Sequence, residues 1–219
     1  MNKFYKTISL LFLGGCVLSA CKKESKEEAV VFPLIFHSER LEMNSGVRVF
    51  TKDGEIKDPG KIANFVKYND YFQIPDSTNS TKDSLFTFSS KNQVLISYGT
   101  RKTLFDLAKT NNMFLFTSTE ETAFTRDPHP TKGLFKHINR SPIPAVELDL
   151  GRIMHVAYGD YKTLKLPMQR YFISRRNNDS NFSQAVGTVN NDIDESFIST
   201  LRNRDTLAYR TYHIVCSSK

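Results

Sequence analysis

The residues that could carry chemistry in this chain are scattered, and their spacing matches no common metal or nucleophile motif. Five histidines occur, but no two stand three or four residues apart, the spacing that places two ligands on one helical face. The sequence has no Cys-x-x-Cys, no His-Glu-x-x-His and no Gly-x-Ser-x-Gly segment. Glu147 and Asp149 could act as paired glycosidase acids, but alternate residues share a face of any strand. The sequence therefore predicts no metal and no cofactor, and it favours a protein without enzymatic activity.

The strongest basic and aromatic stretch is Gln169–Arg176. If it is an extended strand, Arg170 points to one face and Arg175 to the other. Guanidinium groups bind carboxylates and phosphates through paired hydrogen bonds, so Arg170, Arg175 and Arg176 are the candidate residues for an anionic ligand. The alternative is a solvated strand edge that the arginines protect from pairing with another chain.

Residues 1–20 have the three parts of a secretory signal peptide. Lys3 and Lys6 give a positive start, Ile8–Val17 is mostly apolar, and the small residues Ser19 and Ala20 follow it. The apolar run is shorter than the ~20 residues that a helix needs to span a bilayer. We therefore predict that residues 1–20 are removed from the mature chain.

The segment Leu18-Ser19-Ala20-Cys21 resembles the lipobox of bacterial lipoproteins. The resemblance implies that Cys21 becomes the first mature residue and carries a diacylglycerol thioether, usually with a third fatty acyl chain, such as palmitate, on its amino group. Two or more chains anchor a protein stably, whereas one binds only marginally. Lys22 follows the cysteine where enteric inner-membrane lipoproteins carry Asp, so the same resemblance favours the Gram-negative outer membrane, on its periplasmic or outer side. The alternative is an ordinary signal that leaves a soluble protein.

Export and charge limit the partners that the mature chain can have. Removal of Lys3 and Lys6 with the signal lowers the formal net charge from +7 to +5. Outside the cytoplasm such a charge suits anionic lipid or acidic glycan better than nucleic acid, and the alternative is that it has no specific partner. Residues 21–28 are predicted to form a charged tether. We expect the membrane as a partner through the anchor, and an envelope protein, a glycan or an apolar molecule as the ligand.

Alternating apolar segments and short polar turns predict a mainly β domain over residues 29–219. The 17 Phe and 9 Tyr favour strands, and successive hairpin signals predict an antiparallel meander that forms a barrel or a sandwich. Two short helices are expected, Asp58–Asp70 and Asp192–Asp205, the second because acidic residues suit a helix N-terminus. The proline-rich stretch 120–144 is predicted to be a long connection, and it would be the boundary if the domain has two lobes.

Three functional interpretations remain open. The first is a lipid-anchored envelope lipoprotein that binds a ligand or partner without enzymatic activity. The second is a carrier, similar to the lipocalins, that encloses an apolar molecule, although the Gly-x-Trp of that family is absent because the chain has no Trp. The third is an envelope hydrolase. A large apolar cavity would favour the carrier, whereas convergent titratable groups in a cleft would favour the hydrolase. Cys216, the cysteine left without a partner, is predicted to be buried.

Overall fold

The computed structural model describes residues 29–43, 45–72, 84–125, 130–142, 148–176 and 182–218. Cys21, the predicted signal peptide and the predicted tether lie outside them. Val31–Lys219 forms one compact unit.

The helix of this unit, α1, is Pro59–Lys67, and short 3-10 segments lie at Asp70–Phe72 and Glu195–Thr200. The strands in chain order are β1 Leu34–Met43, β2 Arg48–Thr51, β3 Gly54–Ile56, β4 Ser84–Phe88, β5 Gln93–Tyr98, β6 Arg101–Thr110, β7 Met113–Thr125, β8 Asn139–Pro142, β9 Leu148–Gly159, β10 Thr163–Arg176, β11 Phe182–Val189 and β12 Thr206–Ser218.

Eight of these strands close into an antiparallel barrel. The ring runs β10-β9-β7-β6-β5-β4-β1-β12, and β12 pairs back onto β10. The four consecutive strands β4 to β7 form the meander that alternating residues predicted. The prediction of a mainly β, antiparallel fold is therefore confirmed, and of the two architectures that the sequence left open the barrel is the one that forms.

Strands β10 and β12 are long enough to leave the barrel and form a second sheet. They pair continuously from Thr163↔Ser217 to Ser174↔Thr206. Beyond the barrel β11 pairs with β10, and β2 and β3 continue the sheet on the side of β12. The barrel and the second sheet thus share two strands and are not separated at residues 120–144.

Pro167 lies at the point where β10 changes its neighbour. Proline is rare inside strands, but β10 continues through this one. On one side β9 pairs only as far as Lys165↔Tyr158, and β11 begins to pair at Gln169↔Val189. Since proline has no N–H to donate, it suits a position between two partners.

Two further boundaries differ from prediction. Within residues 120–144, β7 continues to Thr125 and β8 forms at the edge of the sheet against β9, where Pro142 ends the strand without loss of an internal hydrogen bond. The second predicted helix is reduced to a 3-10 turn, because the chain is already extended at Leu201. The buried carboxylate of Asp205 accepts hydrogen bonds from the backbone N–H groups of Arg202 and Arg176, at 2.9 and 2.8 Å, and holds the chain in this path.

Packed phenyl rings fill the barrel interior. The Phe88 side chain is fully buried, and its ring centroid lies 5.2 Å from that of Phe36 and 6.2 Å from that of Phe114. Tyr161 covers one end of the core, 6.0 Å from Phe88. Cys216 is also buried here, as predicted, and burial raises the pKa of its thiol to about 12. The buried core residues are Phe36, Phe86, Phe88, Val94, Ile96, Phe105, Leu107, Phe114, Phe116, Ala157, Leu164, Leu166, Ile214 and Cys216.

Each face of the second sheet has its own apolar cluster. Helix α1 covers one face through Phe65, whose ring lies 5.6 Å from that of Phe172. This helix was predicted, and Asp58 caps it by accepting hydrogen bonds from the backbone N–H groups of Gly60 and Lys61. The 3-10 turn covers the opposite face through Phe197, which packs with Ile173 and its neighbours.

His155 should make the stability of the barrel depend on pH. Its ring faces the core 5.3 Å from the ring of Phe105, and Nδ1 is buried without a hydrogen-bond partner among the described residues. Burial lowers the pKa of His155 to about 4. Between pH 6.5 and 4 the unfolded chain therefore binds a proton that the folded barrel does not. The free energy of unfolding should fall by roughly 2–3 kcal/mol as the pH decreases through that window.

Urea unfolding at successive pH values measures this dependence. His155→Gln should remove most of the fall between pH 6.5 and 4, whereas His37→Gln, a change at an exposed position, should retain it. An equal fall in wild type and His155→Gln would show that another group is responsible.

Candidate ligand-binding cleft

An open polar cleft lies where the barrel meets the second sheet. It has a volume of about 490 Å³, and we call it the junction cleft. Side chains from six separate parts of the chain meet there. Those that matter below are Arg48, Tyr158, Gln169, Asp192, Glu195 and Tyr209.

The floor of the junction cleft comes from the two shared strands. Gln169 of β10 lies directly opposite Thr211 of β12. Tyr209 lies two residues before Thr211 and on the same face of the sheet. The Thr211 hydroxyl donates to Gln169 Oε1 at 2.7 Å. This pairing fixes the orientation of the largely buried Gln169 amide at the cleft.

One wall is the segment after β11, which occupies the gap where β9 and β10 diverge. The backbone N–H of Val156 donates to the carbonyl oxygen of Asn190 at 3.2 Å. The buried Asn191 amide accepts from the backbone N–H groups of His137 and Asp192 and donates to the carbonyl oxygen of His137. These bonds satisfy a buried polar side chain and place Asp192 against β9.

Asp192 connects a tyrosine and a histidine at this wall. The Tyr158 hydroxyl donates a hydrogen bond to Asp192 Oδ2, and His137 Nε2 lies 3.9 Å from the same oxygen. Burial, and then the bond to Asp192, raise the pKa of Tyr158 to about 12. At neutral pH Tyr158 therefore keeps its proton and acts as a hydrogen-bond donor.

The opposite wall is organised by the Arg48 guanidinium. Nε and Nη2 donate to the Glu55 carboxylate at 2.8 and 3.2 Å, while Nη1 donates to the Tyr209 hydroxyl at 2.7 Å and to Glu195 Oε1 at 3.1 Å. The pKa of Arg48 is raised, mainly because of its hydrogen bonds to Glu55. Burial raises the pKa of Tyr209 to about 12. The wall thus presents a fixed cation, a neutral phenol and a carboxylate.

The predicted arginine patch is divided between the two faces of the sheet. Arg170 Nη1 donates to the carbonyl oxygen of Tyr71 on the side of helix α1. Arg175 lies on the opposite face, where Nη2 donates to Thr200 at 2.9 Å and Nε lies 3.6 Å from Asp205. Arg176 alternates back to the side of Arg170. The structure does not bring the three arginines together around one ligand.

A second cleft, about 460 Å³ in volume, lies under helix α1 and is mostly apolar. Val49 and Phe172 form its floor, and Ile62 and Phe65 of the helix form its roof. No residue of α1 is fully buried. This cleft is therefore a gap in the packing of the helix against the sheet.

Sequence reasoning missed the junction cleft because its residues are far apart in the chain. Only the acidic run before Glu195 gave a local signal, and it was interpreted as a helix cap. Asp194 does cap the 3-10 turn by accepting from the backbone N–H of Ser196. Asp192 and Glu195 instead face the cleft.

The described residues contain neither a candidate metal site nor a candidate membrane-spanning helix. In those ranges no group of three or more His, Cys, Asp or Glu side chains could hold a metal ion. No helix in the same ranges has both the length and the apolar character needed to cross a bilayer. Comparison of the chain with protein-family models, curated proteins and solved structures gives no match.

Proposed function

We propose that this chain is a lipid-anchored cell-envelope protein that binds a small polar ligand in the junction cleft without converting it. The anchor is Cys21 of the lipobox-like segment, and outer-membrane attachment follows from Lys22 by the same resemblance. The proposal for the ligand rests on the arrangement of hydrogen-bond donors and acceptors in the cleft.

The geometry of the cleft favours a ligand with several hydroxyl groups, such as a saccharide unit of an envelope glycan. Arg48, Tyr158 and Gln169 offer hydrogen-bond donors or acceptors that neighbouring side chains already hold in place. Carboxylate acceptors stand on both walls, at Asp192 and Glu195. A preorganised set of this kind reduces the entropy cost of binding.

The same groups favour binding over catalysis. A general acid or base works best with a pKa near the working pH. Tyr158 and Tyr209 both have a pKa of about 12, and Arg48 is held as a permanent cation by Glu55. These groups donate hydrogen bonds but do not exchange protons near neutral pH. A hydrolase would therefore have no proton-transfer group among these three residues.

Carriage of an apolar molecule is the second candidate, since a closed eight-stranded antiparallel barrel is compatible with a lipocalin-like role. A ligand inside the barrel would have to displace buried rings such as Phe88 and Phe116. The polar cleft outside the barrel needs no such rearrangement, and for this reason we place the ligand there.

Binding of saccharide probes tests the proposal. Glucose, N-acetylglucosamine and glucuronic acid should be titrated into the protein by NMR. Asp192→Ala should weaken binding of the recognised probe about tenfold or more, because a hydrogen bond to a charged group contributes about 1.5–3 kcal/mol.

The matched control is Asn64→Ala, which alters the lining of the apolar cleft under α1 and should leave saccharide binding unchanged. If none of the probes perturbs cleft residues while a fatty acid perturbs the barrel core, the carrier is correct instead.

A further inference from the structure

We propose that one end of the barrel is a membrane-binding surface that contacts anionic lipid head groups through Lys91, Lys109 and Lys162. We call it the tether end, because the folded chain begins there. The inference rests on the lipid anchor proposed above and adds a surface, a partner and an orientation to it.

Three turns and both ends of the folded chain lie at the tether end. The β4–β5, β6–β7 and β9–β10 turns lie side by side, since the backbone N–H of Leu107 donates to Asn92 and that of Gly159 to Asn112, both at 2.7 Å. β1 starts and β12 ends at the same place, where Phe36 pairs with Ser218.

Each of the three turns has an exposed lysine in it or beside it. Lys91 lies in the β4–β5 turn, Lys109 lies next to the β6–β7 turn, and Lys162 lies in the β9–β10 turn. Asp160 is the acidic residue of these turns, and its carboxylate accepts from the backbone N–H groups of Thr163 and Lys162. Both bonds go to Oδ1 and lower the pKa of Asp160, and the charges of Lys162 and Lys109 lower it further. The turns therefore present an excess of positive charge.

Apolar and aromatic groups accompany the lysines. Val31, two residues before Pro33, exposes 79 % of its surface. Phe32 contacts the ring of Tyr161 edge-on at 5.9 Å, and the Lys109 ammonium lies 4.7 Å from the same ring. Amphipathic side chains of this kind suit the boundary between lipid head groups and water.

The length of the tether requires this end to stay near the bilayer. Cys21 and Ala29 are eight residues apart, so a fully extended chain spans at most about 29 Å between them. A tethered surface meets the membrane at a high effective concentration, and basic residues close to an anionic bilayer each gain about 1 kcal/mol.

The same geometry directs the junction cleft away from the membrane. Gln169 lies six residues along β10 from Thr163 at the tether end, which is roughly 20 Å of strand. With the lysines on the head groups, the cleft opens to the aqueous space, where it is accessible to a soluble ligand.

Vesicle co-sedimentation tests the surface without the anchor. The unacylated chain of residues 22–219, which retains the whole folded unit, is mixed with phosphatidylcholine vesicles with or without phosphatidylglycerol. We expect binding that requires phosphatidylglycerol and weakens with salt. Lys91→Ala, Lys109→Ala and Lys162→Ala together should reduce partitioning roughly 100-fold, at about fivefold per lysine.

The control removes the same charge elsewhere. Lys57→Ala, Lys61→Ala and Lys67→Ala together alter exposed positions at helix α1 and should change partitioning less than about twofold if the surface is specific. Because Lys109 packs on Tyr161, the double variant of Lys91 and Lys162 is also measured, with an expected loss of about 25-fold.

Equal losses in both triple variants, or no binding by the wild type, would overturn the proposal. Neither outcome depends on Cys21, so failure of this surface is distinguishable from failure of the anchor, which cell fractionation reports.

Discussion

Replacement of Phe88 by alanine should lower the free energy of unfolding by about 3–5 kcal/mol. The side chain is fully buried, and its ring contacts Phe36 on β1, Phe114 and Phe116 on β7, and Tyr161 beyond β9. Truncation would remove contacts to strands on several sides of the barrel and leave a cavity that the closed sheet cannot collapse to fill.

Equilibrium unfolding in guanidinium measures the change, and Phe182→Ala is the matched control. Phe182 lies on the edge strand β11 and is 49 % exposed, so its replacement should cost less than about 1 kcal/mol. Equal, small losses in the two variants would indicate a loosely filled barrel. The carrier interpretation would then be favoured over binding in the junction cleft.

Substitution of Cys21 by serine should abolish incorporation of labelled palmitate and remove the chain from the outer-membrane fraction. Each buried methylene contributes about 0.8 kcal/mol, so the two or three acyl chains that we propose on Cys21 would anchor the protein stably. Serine has no thiol to form the thioether. Labelling of growing cells followed by membrane fractionation gives both results.

Cys216→Ser is the internal control for this substitution. Cys216 is buried in the barrel core, where the thiol keeps its proton. Its replacement should therefore leave palmitate labelling unchanged. Continued labelling and outer-membrane attachment of the Cys21→Ser chain would contradict the anchor.

Local patterns predicted those parts of the fold whose pairing partners are neighbours in sequence. The β4 to β7 meander follows from alternation between short turns. The β2–β3 hairpin turns at Asp53-Gly54, a dipeptide typical of such turns, where Gly54 has a φ of +101°. Asp58 and Pro59 correctly marked the start of α1.

Barrel closure could not be predicted, because it depends on pairs such as Leu164↔Cys216 that lie far apart in the chain. Local rules treat a proline as a break, so they do not predict that β10 continues through Pro167. The strand that pairs with β10 on one side changes there from β9 to β11, so the missing N–H costs little.

The candidate site was harder to predict than the fold. Arg170, Arg175 and Arg176 stood out because they are close in sequence, yet strand alternation places Arg175 on the opposite face. Arg48 and Asp192 gave no local signal of a shared cleft. They converge only because β2 joins the second sheet through β12, and because Asn191 holds the chain after β11 in the gap beside β9.

The central claim is that a lipid-anchored barrel protein binds a polar ligand outside its core. Native mass spectrometry of the protein purified from its own membrane tests it most directly. The claim predicts a chain that begins at Cys21, is heavier than residues 21–219 by a diacylglycerol and fatty acyl groups, and releases a hydroxyl-rich small molecule on denaturation. An unmodified Cys21, or a co-purified molecule that is apolar and held in the barrel, would contradict it.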